Sequence, residues 1–172
     1  RMVSLEQEYN DACDHDIKWP LLKKLERIYT TYKHELGKVD FTDMIKMMVE
    51  KGQGPSLDVL IVEEAQDLTP LQWEQVKVLK RYANRVWYAG DDDQAIFRYT
   101  GVEVRHMLNI CSDLRVLDQS YRVPRAVHGL ASKLAKRISV RQPKEWKPTD
   151  HEGSIHYHMN IDEIDMSEGS WT

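Results

Sequence analysis

An α/β fold built on a parallel sheet follows from three observations in this 172-residue sequence. Leu57-Asp58-Val59-Leu60-Ile61-Val62 is a short, nearly unbroken apolar run rich in β-branched residues, the pattern of a strand covered on both faces. Arg85-Val86-Trp87-Tyr88-Ala89-Gly90 repeats that pattern after a segment of helical character. Both runs stop abruptly at acidic residues, and alternation of strand, helix and strand implies parallel, right-handed crossover units.

Each element has its own local signal. Trp19-Pro20 opens a helix in which Leu21, Leu22, Leu25, Ile28, Tyr29 and Tyr32 recur at helical spacing, and Gly37 closes it. A second helix is expected over 42–51, with Met44, Ile45, Met47 and Met48 turned inward as adaptable core. Gly52-Gln53-Gly54-Pro55 links it to the first strand. Thr69 and Pro70 supply the N-cap and first residue of a helix reaching about residue 82. A third strand is expected over 113–118, a helix from Pro124 to about residue 138, a loop over 142–148 and a short strand over 153–159. His156 and His158 would share a face of that last strand; with no third ligand evident they read as a surface pair rather than a metal site.

Composition bounds the classes of function. With 41% hydrophobic and 30% charged residues the chain can bury a sizeable core, and no apolar run approaches the ~20 residues a bilayer demands. Arg1-Met2-Val3-Ser4 leads into charged residues, unlike a secretory leader. Cys13 and Cys111 are the only cysteines and have no metal-ligand spacing, which points to a reducing, intracellular setting. A net charge of −4 argues against nucleic acid as a partner, but its distribution does not. Arg122, Arg125, Lys133, Lys136, Arg137, Arg141, Lys144 and Lys147 stand against Glu145 alone, either as a solvated face or as a groove that tracks a phosphate backbone. From 150 to 172 every formally charged residue is an acid.

The candidate chemistry sits where the strands end. Glu63 and Glu64 emerge at the carboxyl end of the first, where open α/β sheets place their ligands. Neighbouring residues point in different directions, so one carboxylate can face a metal while the other faces a water. Mg²⁺ keeps several waters and is held by one or two carboxylates plus substrate phosphates, so two acids suffice if a phosphate ligand supplies the rest. Taken alone, a Glu-Glu pair does no more than solvate a strand end. Two further junctions change its meaning: Asp91-Asp92-Asp93-Gln94-Ala95-Ile96-Phe97-Arg98-Tyr99-Thr100-Gly101 after the second strand, and Gln119-Ser120-Tyr121-Arg122-Val123-Pro124 after the third.

In order and spacing, the three junctions resemble motifs II, III and IV of the UvrD/Rep-like branch of superfamily 1 DNA helicases. Val39-Asp40-Phe41-Thr42-Asp43-Met44-Ile45 is similar to the segment that precedes motif II there, and the resemblance covers about 39–136. It implies a RecA-like P-loop NTPase motor core, present in part, with ATP and Mg²⁺ as cofactors and single-stranded DNA as partner. By resemblance Glu63 supports Mg²⁺, Glu64 is the general base, and Gln94 senses the γ-phosphate, a task suited to a neutral amide that both donates and accepts. Arg122 contacts the same phosphate, stabilising charge that develops as it leaves, and Tyr121 packs near the base. Asp92, with Asp93 beside it, is the other candidate for the magnesium shell; the remaining acids suit caps and turns.

Phe97 and Tyr99 stand two apart, so an extended segment would place them on one side as a stacking platform for unpaired bases, worth about 1–3 kcal/mol per base. Core packing is the competing reading for Phe97. The chain departs from the family where Glu63 replaces an Asp, where Tyr99 replaces the usual Trp and where Thr100 replaces an Arg.

The resemblance also sets the expected domain organisation. Residues 1–54 read as a helical accessory segment, 55–118 as the second part of a first motor core, and 119–172 as the start of a second. No Gly-x-x-x-x-Gly-Lys-[Ser/Thr] phosphate loop occurs. The chain is therefore expected to be an internal fragment, inactive by itself, of an enzyme that hydrolyses ATP to move on single-stranded DNA, by resemblance three-prime to five-prime. The other parts of that helicase are its expected partners. Two alternatives stand beside this one: a non-catalytic nucleic-acid-binding or regulatory module on the same scaffold, and a metal-dependent nuclease built on the clustered acids.

Overall fold

Residues that satisfy orphan backbone donors decide where the helices begin. The computed structural model describes residues 4–11, 16–96, 102–110 and 113–163, in two compact units, Arg1–Cys111 and Ser112–Thr172. In the first unit α1 (Leu5–Asp11), α2 (Trp19–Glu35) and α3 (Phe41–Lys51) precede the strands. Asp40 caps α3 in a reciprocal box: Asp43 N donates to Asp40 Oδ1 at 2.9 Å, and Asp40 N donates to Asp43 Oδ2 at 3.0 Å. Gly52, left-handed at φ 62°, closes the helix as its sequence position predicts.

Lys33 of α2 ties into this cap, donating to Asp40 Oδ2 at 2.8 Å and Asp43 Oδ2 at 2.6 Å, while the Tyr29 hydroxyl donates to Asp40 Oδ2 at 3.0 Å. The hydrogen bonds from Lys33 hold both carboxyls below the usual carboxylate range, and those same bonds raise the ammonium. Its hydrogen bond to Asp40 raises the Tyr29 phenol.

The apolar stripes of these helices are largely open. Leu21, Leu25, Ile28, Tyr29 and Tyr32 are exposed on α2, and Met44 and Met47 are exposed on α3. The expectation that all four residues Met44, Ile45, Met47 and Met48 turn inward is corrected here. Helix α3 packs against α4 (Pro70–Lys80), and only the stripe facing α4 is covered, with Ile45 and Met48 half-buried. Gln75 Nε2 donates to Met48 Sδ at 3.4 Å across that contact.

Strands β1 (Leu57–Val62) and β2 (Ala83–Tyr88) pair in parallel, Leu57 opposite Ala83 and Val62 opposite Tyr88, with α4 as the crossover. Pro70 begins α4 behind the capping box of Thr69 and Gln72. A period of two turns Leu60, Val62, Val86 and Tyr88 toward the core side and Val59, Ile61 and Trp87 away from it. The latter three are 46%, 62% and 64% exposed, so the strand is covered on one face, not on both. Val62, Ala65, Trp73, Val76 and Met107 form the core, with Leu60, Leu68, Tyr88 and Ile110 packed on it. Met107 arrives on α5 (Arg105–Leu108), and Trp73, 2% exposed, lies 6.0 Å from the Tyr88 ring. The core therefore sits directly beneath the strand ends.

In the second unit α6 (Arg125–Ala135) starts behind Pro124 as expected. Two expected strands are absent. Residues 113–118 are irregular, with Leu114 and Leu117 exposed, and pairing begins only where Lys147 N donates to Asp118 O at 2.6 Å and Gln119 bridges Lys147 in parallel. Residues 153–159 are irregular too, with Tyr157 and Met159 almost fully exposed. An apolar or alternating run becomes a strand only against a partner edge, which hydropathy does not encode. His156 and His158 thus share no strand face: His156 Nε2 lies 3.0 Å from Ser154 Oγ, and His158 Nδ1 lies 3.8 Å from Glu163 Oε2. Part of the basic run is paired inside the unit, Arg125 with Asp150 and Glu152 and Lys147 with Asp118. Among the described residues no helix is long and apolar enough to cross a membrane.

Candidate active site

The β1–β2 ladder is regular up to Val62 and then slips by one residue. Ala89 N donates to Val62 O at 2.8 Å, and Ala89 O accepts from Ala65 N at 3.0 Å, one residue later than an evenly spaced parallel ladder requires. The extra residue is Glu64, in the left-handed region at φ 48°, ψ 41°. Among the described residues it is the only non-glycine with positive φ. A bulge of this kind ends pairing and re-aims a side chain. Holding a non-glycine residue there costs on the order of 1–3 kcal/mol, so the surroundings must enforce it.

Gln66 does much of that enforcing. Only 1% exposed, its Nε2 donates to Glu64 Oε2 at 2.7 Å and to Asp67 Oδ2 at 3.2 Å, while its Oε1 accepts from Asp91 N at 3.0 Å. Gly90 makes room for it. A Cβ at Gly90 would stand 2.5 Å from Gln66 Oε1, 3.0 Å from Met107 Sδ and 3.1 Å from Ala65 N. Nothing in the hydropathy pattern marks Gln66 or Gly90 as part of the site. The one local signal for Gln66 is an amide set among acids two residues after Glu64, since an amide N–H₂ can donate to carboxylates.

At the second junction Asp91 caps the 3₁₀ turn Asp92–Gln94. Its Oδ1 accepts from Asp93 N at 3.2 Å and its Oδ2 from Gln94 Nε2 at 2.6 Å. Asp92 is buried, whereas Glu63, Glu64 and Gln94 are exposed. Four of the sequence candidates, Glu63, Glu64, Asp92 and Gln94, thus stand just beyond the carboxyl ends of two adjacent strands. Tyr121 and Arg122 belong to the second unit, in a turn where Ser120 Oγ accepts from Arg122 N at 3.3 Å and Val123 N at 3.1 Å; the Tyr121 side chain is fully open. Phe97, Tyr99 and Thr100 lie outside the described residues, as do Cys13 and Cys111.

The donors at the strand ends are carboxylate oxygens, which suit a hard divalent cation such as Mg²⁺. Among the described residues no group of three or more His, Cys, Asp or Glu could hold a metal ion. Glu64 has a different capacity. With Oε2 held by Gln66, and Oε1 accepting from no described residue, its carboxylate is fixed in direction and able to take a proton from a water.

Residues 2–115 match the model of the UvrD/REP helicase N-terminal domain. The chain is similar to the ATP-dependent DNA helicase PcrA of Staphylococcus aureus, 25% identical over 159 residues that cover 82% of this chain and 22% of the relative. It is similar to DNA helicase II of Haemophilus influenzae, 24% identical over 171 residues, covering 96% of this chain and 22% of the relative. For PcrA of Leuconostoc citreum the identity is 25% over 177 residues, covering 92% and 23%. The chain spans less than a quarter of the length of these relatives.

Proposed function

The chain belongs to the UvrD/REP helicase N-terminal domain family, and on that premise we propose that it is part of an intracellular ATP-dependent DNA helicase or translocase whose strand ends form the water-activating side of a nucleotide site. The observation that carries this reading is Glu64, strained into a left-handed bulge at the end of β1 with its carboxylate gripped by a buried amide. Strain of this sort persists where a side chain must be aimed.

In this reading residues 55–118 belong to a first RecA-like motor core, 1–54 to a helical accessory segment and 119–172 to a second core. Glu64 takes the proton of the attacking water. Gln94 turns from its bond with Asp91 toward the terminal phosphate. Arg122, with its permanent charge and forked donors, suits a phosphate contact, and Tyr121 a place near a nucleotide base. Glu63 and Asp92 would hold Mg²⁺, whose charge would offset that of the phosphates. Phe97 and Tyr99 stack on unpaired bases, and movement runs three-prime to five-prime. Phosphates need a cradle of backbone N–H groups from a Gly-rich loop. That loop belongs to other parts of the parent.

The test is ATP hydrolysis by the whole parent protein with and without single-stranded DNA. Hydrolysis should rise with DNA, and Glu64→Gln should lower kcat by about a hundredfold to ten-thousandfold while nucleotide affinity stays. Equal turnover of the two forms overturns the assignment. Glu63 supports a second reading, a non-catalytic module on the same scaffold, because the longer arm distorts an octahedral shell that Mg²⁺ tolerates poorly. Under the motor reading Glu63→Asp raises kcat; under the other neither form turns over.

A further inference from the structure

Gln66 joins two parts of the site that the functional reading treats separately. On one side its Nε2 holds Glu64 Oε2 at 2.7 Å; on the other its Oε1 holds Asp91 N at 3.0 Å, and Asp91 Oδ2 in turn holds Gln94 Nε2 at 2.6 Å. The result is a continuous hydrogen-bonded chain from Glu64 through Gln66 and Asp91 to Gln94. Its middle member is 1% exposed and packed against Gly90, where even a methyl group would collide with the amide oxygen.

An amide is the group this position needs. Toward Glu64 and Asp67 it must donate, because both are carboxylates, and toward the Asp91 N–H it must accept. Leucine offers neither, and a carboxylate would accept from Asp91 while repelling Glu64. The two ends of the amide are rigidly related, so rotation that improves one bond weakens the other. A shift of the Asp91 turn is thereby felt at the Glu64 carboxylate. The middle of the chain is buried although Glu64 and Gln94 at its ends are exposed, so a displacement at Asp91 has few ways to be absorbed before it reaches Glu64.

We propose that Gln66 is a positioning residue that links the orientation of Glu64 to the state of the Asp91–Gln94 turn, so that water activation responds to what Gln94 contacts. This role rests on the motor reading above. Gln66, 1% exposed, acts through Glu64.

The experiment is a double-mutant cycle in the whole parent protein, with Gln66→Leu, Gln94→Ala and the pair, read as kcat and KM for ATP with and without single-stranded DNA. Gln66→Leu should lower kcat about tenfold to a hundredfold with KM changed less than about threefold. Stimulation by DNA should fall in parallel, and the two substitutions together should cost little more than the worse of them alone. Where Gln66→Leu does not fold, Gln66→Met keeps the length of the side chain but cannot donate to Glu64, and should show the same loss with nucleotide affinity retained. Strictly multiplicative effects on kcat, or a kcat and DNA stimulation within about twofold of the unsubstituted protein, overturn the linkage while leaving the motor reading intact. Absence of ATP hydrolysis in the unsubstituted protein overturns the motor reading and this role with it.

Discussion

Two regions of the first unit hold polar groups in place by opposite means. At the α2–α3 corner, Lys33, Asp40, Asp43 and Tyr29 bond one another on a surface whose apolar neighbours, Tyr32, Met44 and Met47 among them, are open to solvent. At the strand ends Gln66 sits under the backbone, backed by Ala65, Met107 and Trp73. The corner can rearrange at lower cost, because Lys33, Asp40 and Asp43 are only partly buried and water can replace part of what is lost. The strand end cannot, because a lost bond there leaves a buried donor or acceptor unsatisfied. Aim at the level of a single carboxylate belongs to the second region.

That contrast can be broken by experiment, starting where the expected effect is largest. Trp73→Ala removes the largest buried side chain under the strand ends and should cost about 3–5 kcal/mol in denaturant unfolding, destroying the site along with the core. A loss below ~1 kcal/mol would show that the strand end is as yielding as the corner. Gly90→Ala should cost about 1–3 kcal/mol, since the added methyl meets Gln66 Oε1, Met107 Sδ and the Ala65 backbone at once. A melting temperature equal to that of the unsubstituted protein would mean the bond from Gln66 to Asp91 has slack.

Asp40→Ala should lower melting by a few degrees at most through loss of the cap. Its effect should also depend on pH with a defined sign. Asp40 and Asp43 are held below their ordinary value, so their contribution is present above about pH 4 and disappears as pH falls through the lower folded values. Lys33 is raised, so its contribution is complete below about pH 10.4 and is lost as pH climbs through the folded value. The difference in melting temperature between Asp40→Ala and the unsubstituted protein should therefore be flat from about pH 5 to pH 10 and shrink on acidification below about pH 4. A difference that does not shrink at all between pH 4 and pH 2 would place the effect in packing rather than charge.

Legibility in the sequence follows the range of the interaction. Capping and strand onset are local, so Gly52, Thr69-Pro70 and Pro124 mark element ends, and β1 and β2 stand where β-branched residues cluster. Burial and pairing are not local. Among the described residues the run 113–118 pairs with no strand although it has the composition of one, and Met44 and Met47, which have the period of a core face, stay exposed. The site divides in the same way. Glu63, Glu64, Asp92 and Gln94 are recognisable by type and position. The left-handed bulge at Glu64 and the reach of Gln66 to Asp91 depend on how two strand ends abut, and no single segment encodes that.

The outward surface of the β1–β2 pair has a practical meaning for anyone producing this stretch by itself. Ile61 lies opposite Trp87 in the register, with Val59 beside them, and together they make a greasy plate that attracts other such plates. A second molecule carries the same plate, so dilution and solubilising additives, not tighter folding, should govern how much monomer is recovered.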